Sequence, residues 1–253
     1  QELYVYRQLR NTRRMERSIG SLGGGNHFIE VGLDSRKSKY LVIHSGSRNL
    51  GNQVAKLYQR MAIEHCQKGE LKGKYPKDLC FLTGEKRKQY LHDMKICQEY
   101  ASLNREVMAN IILENLLKKS LDDFPYFETI HNYINFKDNI IRKGAIAAYE
   151  GEQVLIPINM RDGSILAVGK GNKDWNYSAP HGAGRVLSRT AAKQELDFKE
   201  FKETMKDVYS TSVRKATLDE SPDAYRPIEE ILDAIEETVE VIDVIKPIYS
   251  YKA

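Results

Sequence analysis

Three of the six histidines in this chain stand beside Asn, Ser or Gly at the edges of strand-like segments: Asn26-His27, His44-Ser45-Gly46 and His131-Asn132. Each adjoins an apolar, strand-like segment, so each falls at a strand edge or in the loop after it. A rigid scaffold fixes side chains there and leaves them reachable. Separate imidazoles of this kind suit a borderline divalent ion such as Mn, Zn, Co or Ni. Any one of them, taken singly, reads more simply as a half-buried packing residue. His65 and His92 lie in helical stretches among charged neighbours and read as surface or packing residues.

A second constellation is SAPHGAGRVLSRTAAK, residues 178–193. His181 precedes Gly-Ala-Gly and a helical run. Backbone N–H groups at such a turn, with the positive end of a helix, attract an anion. The same positive end would lower the pKa of His181, and a neutral imidazole is a competent nucleophile toward phosphorus. Arg185 and Arg189, one helical turn apart, could share a phosphate. By spacing alone, an ordinary helix start with two solvated arginines accounts for the segment equally well. HSGSR, residues 44–48, has a similar anion-binding character. INMRDGSILAVGKGNKDW, with Asp162, Lys170 and Lys173, could wrap a nucleotide but reads as readily as a Gly-rich hairpin.

The elements that must position these residues alternate in kind. Residues 3–17 read as a basic helix, broken by the Gly-rich turn at 21–25. Residues 27–32 and 39–46 read as strands. A helix follows from 49 to about 68, with Val54, Leu57, Tyr58 and Met61 on its inner face. Residues 85–121 read as two helices with an inner stripe of Leu91, Met94, Tyr100, Leu103, Val107, Ile111 and Leu116. Residues 124–136, 139–147, 152–158 and 164–168 read as strands. A turn leads into a helix over 182–193, a helix lies near 227–234, and a last strand covers 238–244. The sum is a mixed α/β (α+β) chain, with strands carrying the motifs and helices packed around them.

Composition bounds the class. The chain has 253 residues, 41% hydrophobic and 29% charged, which excludes disordered, collagenous and coiled-coil readings. No apolar run approaches the ~20 residues that cross a bilayer. The polar, basic N-terminus is no signal peptide. Cys66, Cys80 and Cys97 show no CxxC spacing and form no disulfide framework, so a reducing, cytoplasmic setting is expected. A net charge of +4 permits a polyanionic partner without demanding one.

Taken together and in order, four blocks resemble the RtcB family of RNA-splicing ligases: LGGGNHFIE (22–30), VIHSGSRNLG (42–51), HNY with RKGA (131–133, 142–145) and GKGNKDWNYSAPHGAGRVLSR (169–189). DAYRPIEEI (223–231) and Lys252 extend the match over nearly the whole chain. The resemblance implies an RtcB-like fold, with β-sheets carrying the active site. It implies a GTP- and Mn-dependent ligase acting in tRNA splicing or RNA repair. Such an enzyme joins an RNA 3′-phosphate or 2′,3′-cyclic phosphate end to a 5′-hydroxyl end, through a histidine–GMP and then an RNA(3′)pp(5′)G intermediate.

Residue by residue, the resemblance makes His181 the guanylylated histidine, and His27, His44 and His131 ligands of two Mn ions. Asn26 and Asn132 become phosphate contacts, and Glu30 the guanine-binding carboxylate beside Phe28. Ser164, Tyr225 and Lys252 match guanine-site positions. Asn159 lies in a loop that departs from the best-studied branch, so Ser164 is the firmer contact. Gly182 and Gly184 join the nucleotide site, and Arg48 and Arg189 hold RNA phosphate. Residues 1–253 are expected to form a single ligase domain that lacks its N-terminal segment, with a helical subregion at 49–121. The family's Asp and Cys metal ligands have no counterpart here and are expected before Gln1. A metal-dependent phosphohydrolase or nucleotidyl transferase, or a non-enzymatic RNA-binding relative, would share the same histidines. The body of the RNA is not legible, because such a site reads ends.

Overall fold

Seven short strands, one long one and two longer helices build a mixed α/β chain among the described residues. The structure is a computed structural model and describes residues 2–252; Gln1 and Ala253, the ends of the expected ligase domain, lie outside the described residues. Two compact units emerge: residues up to Gly23 with Ser45–Asp123, and Gly24–His44 with the residues from Phe124 on.

The first unit is helical: α1 (Thr12–Glu16), α2 (Arg48–Cys66) and α3 (Gly84–Leu117). Val54, Leu57 and Tyr58 of α2 pack with Cys97 of α3 against Leu3, Val5 and Met15. α3 is one unbroken helix, not two, because residues 85–117 contain no Gly or Pro to interrupt it. The expected inner stripe is also corrected. Leu103, Ile111 and Leu116 are exposed, and Asp93, Cys97, Asn104, Met108, Ala109 and Leu113 are buried instead. The two buried polar residues are loop anchors. Asp93 accepts hydrogen bonds from the backbone N–H of Tyr4 and Val5 and from the Tyr58 hydroxyl. Asn104 accepts from Gly20 and Ser21 N–H and donates to the Ser45 hydroxyl. Residues 3–17 are not one helix: Asn11 takes a left-handed φ of 58°, and only a 3-10 turn at Tyr6–Gln8 and the short α1 form.

The second unit holds the strands β1 (Phe28–Leu33), β2 (Lys39–His44), β3 (His131–Asn135), β4 (Ile140–Ala147), β5 (Gln153–Asn159), β6 (Gly163–Gly169) and β7 (Ser178–Pro180). The helices α4 (Arg189–Glu195), α5 (Phe198–Thr204) and α6 (Ile228–Ile235) follow, and β8 (Val239–Lys252) closes the unit. Antiparallel pairing gives one sheet of order β2-β1-β8-β6-β5 and another of order β3-β4-β7. Ile146 of β4, Val154 and Ile156 of β5, Ile165 of β6 and Ile231 and Ile235 of α6 form its main core. Each such side chain stabilises the fold by about 1.5–3 kcal/mol when fully buried.

β8 is longer than its expected 238–244 range. It pairs with β6 in its first half and with β1 in its second, passing through Pro247. Proline lacks a ladder N–H, so it is confined to edges and bulges. Here it faces Gly32, where the β1–β8 register shifts. A Cβ on Gly32 would lie 2.5 Å from Ile245 Cγ2 and 2.9 Å from the Lys246 carbonyl oxygen, so the close crossing needs glycine. Among the described residues, no helix is long and apolar enough to cross a membrane. The three cysteines are free thiols.

Candidate functional site

Four histidines of the second unit form a row. The β1–β2 register places Phe28 opposite His44, so His27 and His44 share one end of that hairpin. Their rings lie 5.7 Å apart, and Phe28 stacks on His44 at 5.2 Å. His131, which begins β3, lies 5.3 Å from His44, and His181 lies 4.6 Å from His131. Burial and then the charges of the neighbouring histidines push His44 down to about 3, so its ring is neutral at neutral pH.

His181 follows β7, which pairs with β4. Its Nδ1 lies 2.7 Å from the carbonyl oxygen of Gly144. A carbonyl only accepts, so Nδ1 carries the proton, and in the neutral form of the ring the lone pair lies at Nε2. Gly144 N–H donates to the Asn132 side-chain oxygen at 2.8 Å, so one peptide unit links Asn132 and His181. The expected helix start after His181 is corrected. α4 begins only at Arg189, capped by the Ser188 hydroxyl, which accepts from Ala191 N–H. A helix field fades within its first turn, so the orienting group of His181 is the Gly144 carbonyl. Arg185 lies outside the helix, and the one-turn spacing expected of Arg185 and Arg189 does not form.

Phe28, Glu30, Tyr225 and Lys252 come together at the second half of β8. Lys252 faces Phe28 in the register and Ser250 faces Glu30. Lys252 Nζ lies 5.8 Å from the centre of the Phe28 ring and 5.7 Å from that of Tyr225. Glu30 is only 3% exposed, and its Oε1 accepts no hydrogen bond from the described residues. Burial raises its carboxyl to about 8, with the Lys252 charge pulling the other way. An orphaned buried acceptor costs about 1–3 kcal/mol, a cost relieved by any ligand that donates to it.

Sequence reasoning missed the acidic pair that organises this pocket. Glu220 receives Lys252 Nζ and the Tyr225 hydroxyl, the latter at 2.7 Å. Arg189 Nη1 donates to Glu220 Oε1 at 2.5 Å and to Asp219 Oδ2 at 2.6 Å. Lys193 Nζ lies 3.3 Å from Asp219. Arg185 lies over the Tyr225 ring at 4.8 Å and donates to its hydroxyl. Burial is the largest influence on Glu220 and opposes its ionisation, but the Lys252 charge, the hydrogen bonds from Lys252 and Tyr225 and the Arg189 charge together hold the carboxyl below its usual range. Burial and then Glu220 push the Tyr225 hydroxyl up. Arg185, Arg189, Lys193 and Lys252 thus face two ionised carboxylates, which leaves a surplus of positive charge for an anion. The one signal in the sequence was the Asp-Glu pair just before Ser-Pro at 221–222.

Other candidates stand apart. Asn159 spends its amide on the β5–β6 turn: Nδ2 donates to Asp162 Oδ2, and Oδ1 accepts from the N–H of Arg161 and Asp162. Ser164 is fully buried, and its hydroxyl has no partner among the described residues. Lys170 donates to the Glu236 carbonyl. Asn26 is exposed beside His27, Gly184 is exposed with φ 72°, and Gly182 lies under the Pro157 carbonyl. In the first unit, Arg48 donates to the Ser21 hydroxyl and the Leu22 carbonyl, and with Arg13, Arg14 and Arg17 it lines an open groove of about 780 Å³.

The histidine row fits a borderline divalent ion in donor type. Among the described residues, however, no three His, Cys, Asp or Glu side chains converge as a coordination shell.

A family model described as tRNA-splicing ligase RtcB matches residues 5–253, running through both units. The RNA-splicing ligase RtcB of Escherichia coli K12 is 32% identical over 252 residues, covering 92% of this chain and 61% of the relative. The tRNA-splicing ligase RtcB of Aeropyrum pernix is 30% identical, covering 87% of this chain and 56% of the relative. That of Nanoarchaeum equitans is 26% identical over 87% of this chain and 56% of the relative. The chain therefore spans less than two thirds of the length of these curated relatives.

Proposed function

The chain belongs to the RtcB family, and from that premise we propose a GTP- and Mn-dependent RNA ligase that joins 3′-phosphate or 2′,3′-cyclic phosphate ends to 5′-hydroxyl ends. The observation that carries this reading is His181, whose Nδ1 lies 2.7 Å from the Gly144 carbonyl oxygen, so that the neutral form of the ring has its lone pair at Nε2. Nε2 attacks the α-phosphorus of GTP; a P–N bond forms and pyrophosphate leaves. An RNA 3′-phosphate oxygen then attacks that phosphorus, and the P–N bond breaks to return neutral imidazole. The 5′-hydroxyl attacks the activated RNA phosphorus, loses its proton, and GMP departs. A cyclic end is first opened by water.

A phosphoramidate is reactive enough to pass its nucleotide on, and GMP is the leaving group that a 3′-phosphate lacks. Glu30 accepts from guanine N1–H and the 2-amino group, Phe28 supplies a stacking face, and Tyr225, Lys252 and Ser164 complete the base side, while Asn159, whose amide holds the β5–β6 turn, supports Ser164 from that turn. Asn26, Asn132, Gly182 and Gly184 face phosphates. His27, His44 and His131 would hold Mn, which when bound neutralises phosphate charge and aligns the attacking oxygen. The test is sealing of a 3′-phosphate RNA to a 5′-hydroxyl RNA with GTP and Mn by the native enzyme. Sealing that proceeds without GTP would overturn the reading. The free cysteines suit a cytoplasmic setting.

Arg48 and Arg189 are proposed RNA-phosphate contacts with different side effects. Arg48→Ala is expected to weaken joining and flatten its salt dependence by about one unit of slope, with guanylylation intact. Arg189 shares Glu220 with Lys252 and Tyr225, so Arg189→Ala is expected to slow both joining and guanylylation. Salt titrations of joining beside GTP labelling measure both; unchanged labelling in Arg189→Ala would contradict the shared network.

Three neutral imidazoles without a carboxylate or thiolate hold two cations poorly, because the cations repel. Residues 1–253 are expected to take up at most one Mn by calorimetry. Two tight sites in residues 1–253 would show that carboxylates within this chain complete the shell.

A further inference from the structure

Arg142 of β4 is 3% exposed, and its guanidinium is spent on neutral oxygens. Nε donates to the Ser178 hydroxyl at 2.8 Å, and Nη1 to the Tyr133 hydroxyl at 3.2 Å. Nη2 donates to the carbonyls of Asn176 and Tyr177, at 3.1 and 3.2 Å, and lies 3.4 Å from the Tyr149 hydroxyl. The rings of Tyr133 and Tyr149 lie 5.7 and 5.4 Å from its Cζ. So buried a cation meets no substrate. A fixed fork of donors, by contrast, can bind several backbone oxygens at once.

The two carbonyls it gathers belong to an unusual turn. Asn176 and Tyr177 are both left-handed, with φ of 50° and 52°. A single Asn adopts this region readily, but a following Tyr rarely does. Such conformations persist only where the surroundings hold them, and they cluster at functional sites. This turn feeds β7, whose Ser178 and Pro180 pair with Ala147 and Ala145 of β4. His181 comes next, and its Nδ1 meets Gly144, again on β4. Residues two apart on one strand therefore grip the segment at both ends, Arg142 at the turn and Gly144 at the imidazole.

We propose that Arg142 is a positioning residue for His181: it locks the left-handed Asn176–Tyr177 turn so that β7 delivers the imidazole to the Gly144 carbonyl with Nε2 facing the substrate. The proposal rests on the reading of His181 as the nucleophile. Lysine keeps the charge but loses the fork. Displacement of a reacting group by ~1 Å costs about 10²-fold in rate, and Arg142→Lys is expected to slow His181–GMP formation at saturating GTP by about that factor, with the KM for GTP unchanged. Nitrogen-15 NMR of histidine-labelled, metal-free full chain is expected to show His181 as the Nδ1–H tautomer in the wild type and shifted toward Nε2–H in Arg142→Lys. Ser178→Ala, which removes one acceptor with little risk to folding, is expected to shift rate and tautomer the same way by less, and it decides the matter if Arg142→Lys fails to fold. Variants that keep the wild-type rate and tautomer while melting lower would overturn the proposal, as would a change in KM alone. A wild type that takes up no GMP would sink the nucleophile reading, and the tautomer comparison would still decide the role of Arg142.

Discussion

His181→Ala is expected to form no protein–GMP adduct and to join no RNA, a loss of at least about 10⁴-fold against the native enzyme. The fold should survive. Among the described residues the half-buried ring bonds to the Gly144 carbonyl and packs beside the His131 ring. Removing it leaves that carbonyl to water and opens no large cavity. Labelling with α-phosphate-labelled GTP, beside a thermal melt, separates lost chemistry from lost structure. Undiminished labelling of the alanine variant would remove His181 from the mechanism.

Glu30→Gln is expected to have two effects of opposite sign. Burial places the folded carboxyl at about 8 against an ordinary 4.5. Below 4.5 both folded and unfolded chains hold the proton, and the group costs nothing. Between those values the unfolded chain releases the proton and the folded chain keeps it, so stability falls as pH rises and levels off above 8. Glutamine carries no such penalty. The variant should melt higher than the wild type above pH 8, with the gap closing as pH falls toward 4.5. Its nucleotide choice should fail. A site built around two donated hydrogen bonds discriminates by as much as ~10⁴, so the wild type should prefer GTP to ATP strongly and Glu30→Gln should not. In the wild type, GTP binding should release a proton as the carboxyl ionises to accept guanine. Calorimetry in buffers of different ionisation enthalpy measures this. Retained preference in the variant, or a stability gap that ignores pH, would contradict the assignment.

Much of the site was legible because strands announce their ends. The alternating FIEVGL and the apolar KYLVIH stop at His27 and His44, and hairpin pairing alone then sets the two rings side by side. The long reach of β8 was not legible, because Pro247 reads as a strand end until a bulge opposite Gly32 accommodates it. α3 misled in another way. Asp93 and Asn104 break its apolar stripe in sequence, yet both are buried because they hold the backbone of Tyr4, Val5, Gly20 and Ser21. Local propensity cannot register partners that remote. Glu220 escaped notice for the same reason, since its meaning comes from Lys252 and Arg189. The helix field assigned to His181 failed because Ser188, not the Gly-rich turn, caps α4.

The proposed reaction turns on one covalent bond, between His181 Nε2 and the phosphorus of GMP, and locating that bond decides it. The full-length native enzyme would be incubated with GTP and Mn, digested under alkaline conditions that spare P–N bonds, and its peptides sequenced by mass spectrometry. The expected result is a single GMP on His181. GMP on a lysine such as Lys143 or Lys252, or GTP-dependent sealing with no GMP on His181, would contradict it.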